Sequence, residues 1–342
     1  MNEPLPFVSV LMPVRNEADF IAEALDAVVH QDYPRELLEI VVCDGMSTDS
    51  TRDIVMGFQR LYSNIKLLDN PALIAPSAMN IAAAKAVGTV LVRVDGHCRV
   101  SPTYVSRCVC HLRENPDVWG VGGPLETIGL GLVAESIAVA MSSRFGVGGS
   151  AFRTAKGRTM FVDTVAFPAY RRDAMKLAGP YDEQLVRNQD DEYNYRLRKL
   201  GGQILLAQDV LATYYSRGSF SKLWRQYLQY GFYKVRVMQL HPRQMSPRQF
   251  VPAMFVLALI ISSLAAPLTL LPLSVVLCSY LLASGAATLL TCSERGWKHV
   301  YRLPVAFAAL HLSYGLGFLA ALCAFCVNGG TFASPMKISS SR

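Results

Sequence analysis

Two long segments of the 342-residue chain lack any charged side chain. Residues 251–293 and 303–336, which are 43 and 34 residues long, contain no Asp, Glu, Lys or Arg. Buried helices of water-soluble proteins rarely run so far without a charge, whereas about 20 apolar residues cross a bilayer. We therefore predict a membrane-spanning helical hairpin in the first segment, turning near Pro267 and Pro272, and a third span in the second.

Other absences exclude whole functional classes. The motifs Gly-x-Gly-x-x-Gly and Gly-x-x-x-x-Gly-Lys-Ser/Thr do not occur, which argues against dinucleotide oxidoreductases and P-loop NTPases. The eight cysteines show neither metal-ligand nor disulfide spacing, so reduced structural thiols are expected. Because the predicted spans contain no Asp, Glu, Lys or Arg, a pure membrane transporter is disfavoured.

The N-terminus lacks the basic stretch and apolar run of a signal peptide, so residues 1–250 are expected to stay in the cytoplasm. The positive-inside rule places the loop with Arg295, Lys298 and Arg302 on the same side. Net charge is +7, and residues 217–250 carry seven basic residues and no acid. Interleaved with aromatic residues just before a span, this basic segment predicts an interfacial segment on anionic lipid, with a solvated linker as the alternative. Nucleic acid is a poor partner, because the segment adjoins the bilayer.

The remaining sequence alternates between strand and helix patterns. Short apolar runs predict strands at 7–13, 38–43, 65–68 and 89–94, and apolar residues spaced three and four apart predict helices at 17–30, 51–62 and 77–87. A further helix begins near Asp190 and ends at Gly201 and Gly202. Such alternation predicts an α/β domain with a mostly parallel sheet and right-handed crossovers.

Three of the four predicted strands lead directly into polar residues. Asn16 and Glu17 follow Pro13, Asp44 ends the second strand, and Asp95 ends the fourth. One acid at a strand end is commonplace. Several along one carboxyl edge of a parallel sheet predict a binding site for a nucleotide-like ligand.

The fourth strand ends in Asp95-Gly96-His97. Side chains two residues apart on a strand share one face, so Asp95 and His97 are placed to bind one cation. A carboxylate there suits Mg²⁺ or Mn²⁺, which are natural counter-charges for a diphosphate. The alternative is a solvated aspartate at the end of a strand.

Three consecutive acids, Asp190, Asp191 and Glu192, begin the last helix of this domain. The helix dipole favours acids in a first turn, which is a sufficient structural explanation for any one of them. The functional hypothesis is that one acts as a general base, since crowded acids raise each other's pKa.

These blocks together resemble inverting family 2 glycosyltransferases of the GT-A fold, a Rossmann-like α/β fold, over residues 7–250. Residues 8–17 look like their opening strand and nucleotide-contacting loop, 42–50 like their uridine-contacting block, 95–97 like their Asp-x-Asp, and 189–190 like their Glu-Asp. Residues 95–98, 146–153, 188–197 and 225–234 are similar to the ExoA type, bacterial membrane glucosyltransferases of succinoglycan biosynthesis.

The resemblance implies a role for each matching residue. It implies a UDP-sugar bound by Pro13, Asn16, Glu17, Asp44 and Asp95, a Mg²⁺ or Mn²⁺ on Asp95 and His97, Asp190 as the catalytic base, and Asp191, Arg225, Gln226 and Lys234 on the acceptor or diphosphate side. His97 and Gln189 depart from the family's Asp and Glu. Residues 226–230 depart from Gln-x-x-Arg-Trp of processive synthases, which disfavours long-chain polymerisation.

In the interfacial segment, Phe220, Leu223, Leu228 and Phe232 are expected to enter the lipid headgroup region, while Gln226, Tyr230 and Lys234 face the sugar site. The predicted domains are a GT-A domain at 1–215, the interfacial segment at 216–250, a transmembrane region of about three helices at 251–328 and a tail at 329–342.

We therefore expect a multi-pass protein of the bacterial inner membrane with a cytoplasmic catalytic domain. It would transfer a hexose, glucose from UDP-glucose, to a lipid-linked oligosaccharide in exopolysaccharide synthesis. One alternative is a polyprenyl-phosphate hexose transferase, whose acceptor is the lipid phosphate itself. The other is a non-catalytic sugar-nucleotide-binding subunit.

Overall fold

The computed structural model describes residues 4–155, 157–329 and 332, and these form two compact units. The first unit comprises the described residues up to Glu126 and those from Ala155 to Tyr214; the second comprises Thr127–Thr154 and the described residues from Tyr215 onward. The segment Thr127–Thr154 therefore groups with the C-terminal helices, whereas the sequence-based prediction included it in the GT-A domain at 1–215. The predicted tail lies almost wholly outside the described residues.

Strands and helices alternate at the predicted positions through residues 8–93 of the first unit, and the further strands and helices that follow in this unit were not predicted, except the helix Gln189–Lys199. The strands are β1 (Val8–Val14), β2 (Leu38–Asp44), β3 (Ile65–Asp69), β4 (Val90–Arg93), β5 (Cys98–Val100), β6 (Val118–Gly122), β7 (Leu125–Ile128), β8 (Met160–Phe161), β9 (Ala169–Arg171), β10 (Gln203–Leu206) and β11 (Ala212–Tyr215).

The helices are α1 (Ile21–Val29), α2 (Thr51–Leu61), α3 (Ala75–Lys85), α4 (Tyr104–Glu114), α5 (Leu132–Met141), α6 (Arg144–Val147), α7 (Ala151–Thr154), α8 (Arg172–Ala178), α9 (Gln189–Lys199), α10 (Phe220–Leu240), α11 (Val251–Ala265), α12 (Leu271–Arg295) and α13 (Leu303–Val327).

The main sheet of the first unit has the strand order β3-β2-β1-β4-β9-β6-β10-β8. β1 runs parallel to β2 and β4, with Val10 opposite Ile40 and Val92, while β9 runs antiparallel to β4 and β6. Every residue of β1 and β2 is buried, as in a parallel sheet that is covered on both faces. The carboxyl ends of β1, β2 and β4 therefore meet at one edge, which confirms the predicted α/β class.

The second unit is helical, and its helices α10 and α13 lie in close contact. A Cβ atom at Gly231 would lie 2.0 Å from the carbonyl oxygen of Tyr314, and one at Gly317 would lie 2.0 Å from that of Leu228. Glycine at both positions lets the two backbones approach, as small residues do between membrane helices.

This packing corrects one expectation about the interfacial segment. Leu223 and Phe232 are buried against protein, with exposed fractions of 0% and 4%, so their predicted insertion into lipid is wrong. The apolar face of α10 is covered by a neighbouring helix, which periodicity alone does not distinguish from a lipid surface.

Hydrogen bonds fasten the segment Thr127–Thr154 to the C-terminal helices within the second unit. His311 Nε2 contacts the carbonyl oxygen of Phe145 at 2.8 Å, and Ser136 Oγ contacts His299 Nδ1 at 2.8 Å. These partners are more than 160 residues apart in the chain, so this grouping follows from tertiary contacts.

Two helices of the second unit are long and apolar enough to cross a membrane. They are α12 and α13, each of 25 residues, whereas α11 has 15 and is shorter than the roughly 20 residues that span a bilayer. Many leucine side chains of α12 are exposed, including Leu281, Leu282 and Leu290 at 66%, 75% and 69%. An apolar surface of this kind is unfavourable in water and supports membrane association.

Candidate active site

Hydrogen bonds join the loop after β1 to the loop after β2 at the carboxyl edge of the sheet. The amide of Asn16 donates to Ser47 Oγ at 2.9 Å, and the amide of Thr48 donates to Asn16 Oδ1 at 2.8 Å. Asn16 and Met46 have positive φ angles of 52° and 53°, a conformation that costs free energy in residues other than glycine. Strained backbone in this place indicates a loop shaped for binding rather than for stability alone.

Asp44 lies beneath this pair of loops and is completely buried. Its carboxylate accepts the Ser47 hydroxyl at 2.5 Å and forms an ion pair with Arg52 Nη1 at 3.2 Å, and Arg52 also pairs with Asp69 at 2.6 Å. The structure thus shows Asp44 positioning Ser47 and Arg52. The predicted contact of Asp44 with a nucleotide stays a prediction. The same holds for Pro13, which lies near the end of β1, beyond the last residue that pairs with β4.

A single guanidinium joins the two acids that the sequence singled out. Arg93 Nε and Nη2 donate to the Asp95 oxygens at 2.7 and 3.1 Å, and Arg93 Nη1 pairs with Asp190 Oδ1. The Arg93 side chain is 4% exposed, compared with 17% for Asp95 and 24% for Asp190. The structure therefore brings Asp95 and Asp190 to one partly open site, 95 residues apart in the chain.

The two carboxylates of this site have opposite pKa shifts. Burial raises the pKa of Asp95, but Arg93, with smaller contributions from His97 and Arg187, outweighs burial and holds it below its ordinary value. Burial raises the pKa of Asp190 to about 6; Arg93 opposes this, and the charges of Asp95 and Asp191 add to it. Asp190 is thus ionised at neutral pH yet is a stronger base than an ordinary aspartate.

His97 is held by the loop after β1. Its Nδ1 lies 2.7 Å from Glu17 Oε1, and its ring packs edge-on against Tyr214 at 5.3 Å. A metal-bound histidine typically donates its other ring N–H to a carboxylate in this way, which leaves Nε2 to bind the metal. Glu17, predicted to contact the nucleotide, orients His97 in this structure.

The three acids at the start of α9 have different surroundings. Glu192 is 3% exposed and forms two hydrogen bonds with Arg196, at 3.0 and 2.5 Å, so it serves the helix itself. Asp191 is half-buried beside Asp190. Asn188, which precedes the helix, has a positive φ of 61°. Of the three acids, only Asp190 pairs with Arg93 in the described contacts.

The remaining predicted residues belong to the second unit. Arg225 is exposed on α10, whereas Gln226 and Lys234 are each 4% exposed. Gln226 Nε2 donates to the Tyr230 hydroxyl at 3.0 Å, and its Oε1 accepts from Arg217 Nε at 3.2 Å. These contacts order one face of α10; the roles assigned to Arg225, Gln226 and Lys234 stay predictions.

Two residues of the site were missed by the sequence reasoning. Arg93 precedes Asp95 by two positions on the same face of a buried strand, and a charge there requires acidic partners, which was a usable signal. Tyr181 stacks on Tyr193 with ring centroids 4.0 Å apart, and its hydroxyl is buried without a hydrogen-bond partner among the described residues. Asp190 raises the pKa of Tyr181 in addition to the larger effect of burial.

The metal prediction rests on two side chains. No group of three or more His, Cys, Asp or Glu side chains able to hold a metal occurs among the residues that the structure describes. Mg²⁺ in phosphate-transfer sites is held by one or two carboxylates together with substrate phosphates and water. Asp95 and an oriented His97 fit a cation of that kind, which a bound diphosphate would complete.

The sequence matches the model of one known family, Glycosyl transferase family 2, over residues 9–176. It is 32% identical over 243 residues to the succinoglycan biosynthesis protein ExoA of Rhizobium meliloti (strain 1021), covering 67% of this chain and 71% of that protein. It is 30% identical over 232 residues to a Methanococcus voltae protein, covering 66% and 72% respectively. That protein is named dolichyl N-acetyl-alpha-D-glucosaminyl phosphate 3-beta-D-2,3-diacetamido-2,3-dideoxy-beta-D-glucuronosyltransferase.

Among solved structures, the chain is similar to the mannosyltransferase PcManGT from Pyrobaculum calidifontis, determined in complex with GDP-Man and Mn2+. The TM-score is 0.55 at 22% identity, over 90% of this chain and 87% of that chain. At this identity the likeness concerns the fold alone, and it confirms the predicted GT-A class.

Proposed function

Because the chain belongs to glycosyltransferase family 2, we propose that it transfers a hexose, glucose from UDP-glucose, to a hydroxyl of a lipid-linked oligosaccharide with inversion at the anomeric carbon. The observation that carries this proposal is the Arg93 guanidinium between Asp95 and Asp190. It joins an acid on the predicted donor side to an acid able to accept a proton. The M. voltae and R. meliloti relatives, named for transfer to a lipid-linked sugar and for succinoglycan biosynthesis, support the choice of acceptor.

In the proposed reaction, Asp190 takes the proton of the acceptor hydroxyl. The acceptor oxygen forms a bond to the anomeric carbon as the bond from that carbon to the diphosphate oxygen breaks, so negative charge moves from the base to the departing diphosphate. A pKa of about 6 leaves Asp190 unprotonated at neutral pH and matched to the task. Arg93 positions Asp190 and offsets the repulsion between the two ionised carboxylates, Asp190 and Asp95.

The donor side of the site is assigned to the loops after β1, β2 and β4. We assign Pro13, Asn16 and Glu17 to the uridine side, with Asp44 supporting them from below. Asp95 and His97 would hold a Mg²⁺ or Mn²⁺, which would offset the charge that develops on the diphosphate. The contact of Glu17 with His97 Nδ1 would orient His97 for that role, and this contact supports the metal proposal independently of the family resemblance.

We further propose that the protein is a multi-pass protein of the bacterial inner membrane. The 25-residue helices α12 and α13 support spanning, and the basic exposed residues of α10, such as Arg225, support contact with an anionic leaflet. Arg217 Nη1, buried without a partner among the described residues, is a donor suited to an anion. We therefore place Arg217 with Arg225, Gln226 and Lys234, which we assign to the acceptor or diphosphate side.

The test is transfer of label from nucleotide sugars into lipid. Membranes containing the full chain are incubated with labelled UDP-glucose, UDP-galactose or GDP-mannose, and label is measured in the butanol-extractable fraction. We expect UDP-glucose to label lipid in the wild type and not in Asp190→Asn. Mild acid then releases the saccharide, and an oligosaccharide with a terminal β-glucose supports the proposal.

Other products contradict parts of it. A labelled monosaccharide would identify the lipid phosphate itself as the acceptor. An α-linked product would exclude inversion. Absence of labelled lipid with all three donors, while the protein still binds UDP, would favour a non-catalytic subunit.

A further inference from the structure

A cavity lies at the edge of the sheet opposite Asp95. It has a volume of about 430 Å³ and is lined by Thr89 and Val90 at the amino end of β4, by the end of α4 and by the start of α8. Its charged lining comprises four cations and one acid: Arg113, Arg171, Arg172, Lys176 and Asp173. The volume falls in the range of small-molecule sites, and all the lining residues belong to the first unit.

Part of this charge has a structural explanation. Arg171 Nε donates to the carbonyl oxygen of Val118 at 2.9 Å, and its Nη2 donates to the carbonyl oxygens of Leu112 and Asn115 at the end of α4. A cation at a helix C-terminus is favoured by the helix dipole. These partners are neutral carbonyls, so the guanidinium keeps its full charge at the cavity.

Arg172 is not fully explained in this way. Its Nε donates to the carbonyl oxygen of Gly88, but its Nη2 is shielded from solvent and has no hydrogen-bond partner among the described residues. Because Nη2 is shielded from solvent, a ligand in the cavity would be bound by Nη1 of the same guanidinium, which has no hydrogen-bond partner in the described contacts. The exposed Lys176 stands one helical turn further along α8.

We propose that this cavity binds a phosphate-bearing ligand, whose phosphoryl oxygens accept from Arg172 and Lys176. The planar guanidinium fork of arginine matches phosphate oxygens, and lysine adds a second charge. Apolar side chains of β4 and α4, Val90, Val109 and Leu112, line the same cavity and suit the carbon skeleton of the ligand. Because β4 separates this cavity from Asp95, the site is distinct from the proposed donor site and does not depend on it.

The test uses the full chain in nanodiscs of neutral lipid, titrated with inorganic phosphate in a calorimeter. We expect saturable binding, weakened about tenfold in Lys176→Gln, since a charge-assisted hydrogen bond to phosphate is lost. Asp173→Asn removes the one acid of the lining and should tighten binding. Lys199→Gln makes the same change as Lys176→Gln at an exposed lysine outside the cavity and should leave binding unaltered, as should Asp95→Ala.

The source of the phosphate is decided by a second arm, in nanodiscs that contain phosphatidic acid. Loss of binding of soluble phosphate there shows that a lipid headgroup occupies the cavity, and unchanged binding shows a soluble ligand. Absence of saturable binding in both nanodiscs overturns the proposal. The proposal is also overturned if Asp95→Ala abolishes phosphate binding and Lys176→Gln leaves it intact, because phosphate would then occupy the donor site.

Discussion

Replacing Arg93 with glutamine would remove a cation that contacts both Asp95 and Asp190. In the structure its Nε and Nη2 bond to Asp95 at 2.7 and 3.1 Å and its Nη1 pairs with Asp190. Glutamine keeps part of the length and the polarity but not the charge. We therefore expect Asp95 and Asp190 to lose the positive charge between them, and the pKa of Asp190, the proposed base, to rise.

The magnitude follows from the pKa of Asp190, about 6 with Arg93 in place. Arg93 lowers this pKa, and an opposite charge at such a distance typically lowers a carboxyl pKa by about 1–3 units. Without it, the pKa should rise to about 7 or above. Because the base works only when ionised, activity in the wild type should be lost as pH falls through about 6, and in Arg93→Gln it should be lost at a pH at least about one unit higher.

Stability should fall as well. Removing one partner of a buried ion pair typically costs about 3–5 kcal/mol, since the remaining charge is left without compensation. The protonation of Asp190 works in the opposite direction to most acids: its raised pKa stabilises the fold fully below the ordinary value of 3.8, and this contribution is lost as pH rises through about 6. Arg93→Gln should therefore be less destabilised at pH 5 than at pH 8.

The assay is kcat/KM for sugar transfer between pH 5 and 9, with thermal unfolding at the two pH values. Arg52→Gln is the matched control, because Arg52 also joins two carboxylates, Asp44 and Asp69, but is 37% exposed and does not contact Asp190 in the described residues. We expect it to destabilise the fold less than Arg93→Gln does, because the Arg52 guanidinium is itself partly solvated, and to leave the acid limb near pH 6. An unshifted limb in Arg93→Gln would refute the reasoning.

Three further predictions follow from the same structure. Asp190→Asn should lower kcat by about 10²–10⁴ with UDP binding within a few-fold, whereas Asp191→Asn should retain turnover; the reverse result in steady-state kinetics would move the base by one residue. Asp95→Ala should abolish the Mn²⁺ dependence of UDP binding measured by calorimetry, and full wild-type activity in EDTA would contradict the metal assignment. Gly231→Ala should destabilise the helical unit by about 1–3 kcal/mol in detergent unfolding, whereas Gly285→Ala, where a Cβ atom meets no atom within 4 Å, should not; equal melting temperatures would refute the close packing of α10 on α13.

The sequence by itself determined the fold class, the family and the ends of the strands that form the site. These features have local signals: apolar periodicity predicts each element, alternation predicts the parallel sheet, and the carboxyl edge then receives Asn16, Asp44 and Asp95. The two long charge-free segments are equally local, which is why membrane helices were predicted where α12 and α13 lie.

Only the tertiary structure decided what each charged residue contacts. Arg93 and Asp190 are 97 residues apart, and nothing in either neighbourhood shows that they pair. Asp190 and Glu192, two residues apart, look alike in sequence, but Glu192 is bound by Arg196 while Asp190 contacts Arg93 in the site. Leu223 shows the same limit, because an amphipathic pattern does not say whether lipid or a neighbouring helix covers its apolar face. Periodicity reports which face of an element is apolar, and the partner of that face is set by contacts distant in the chain.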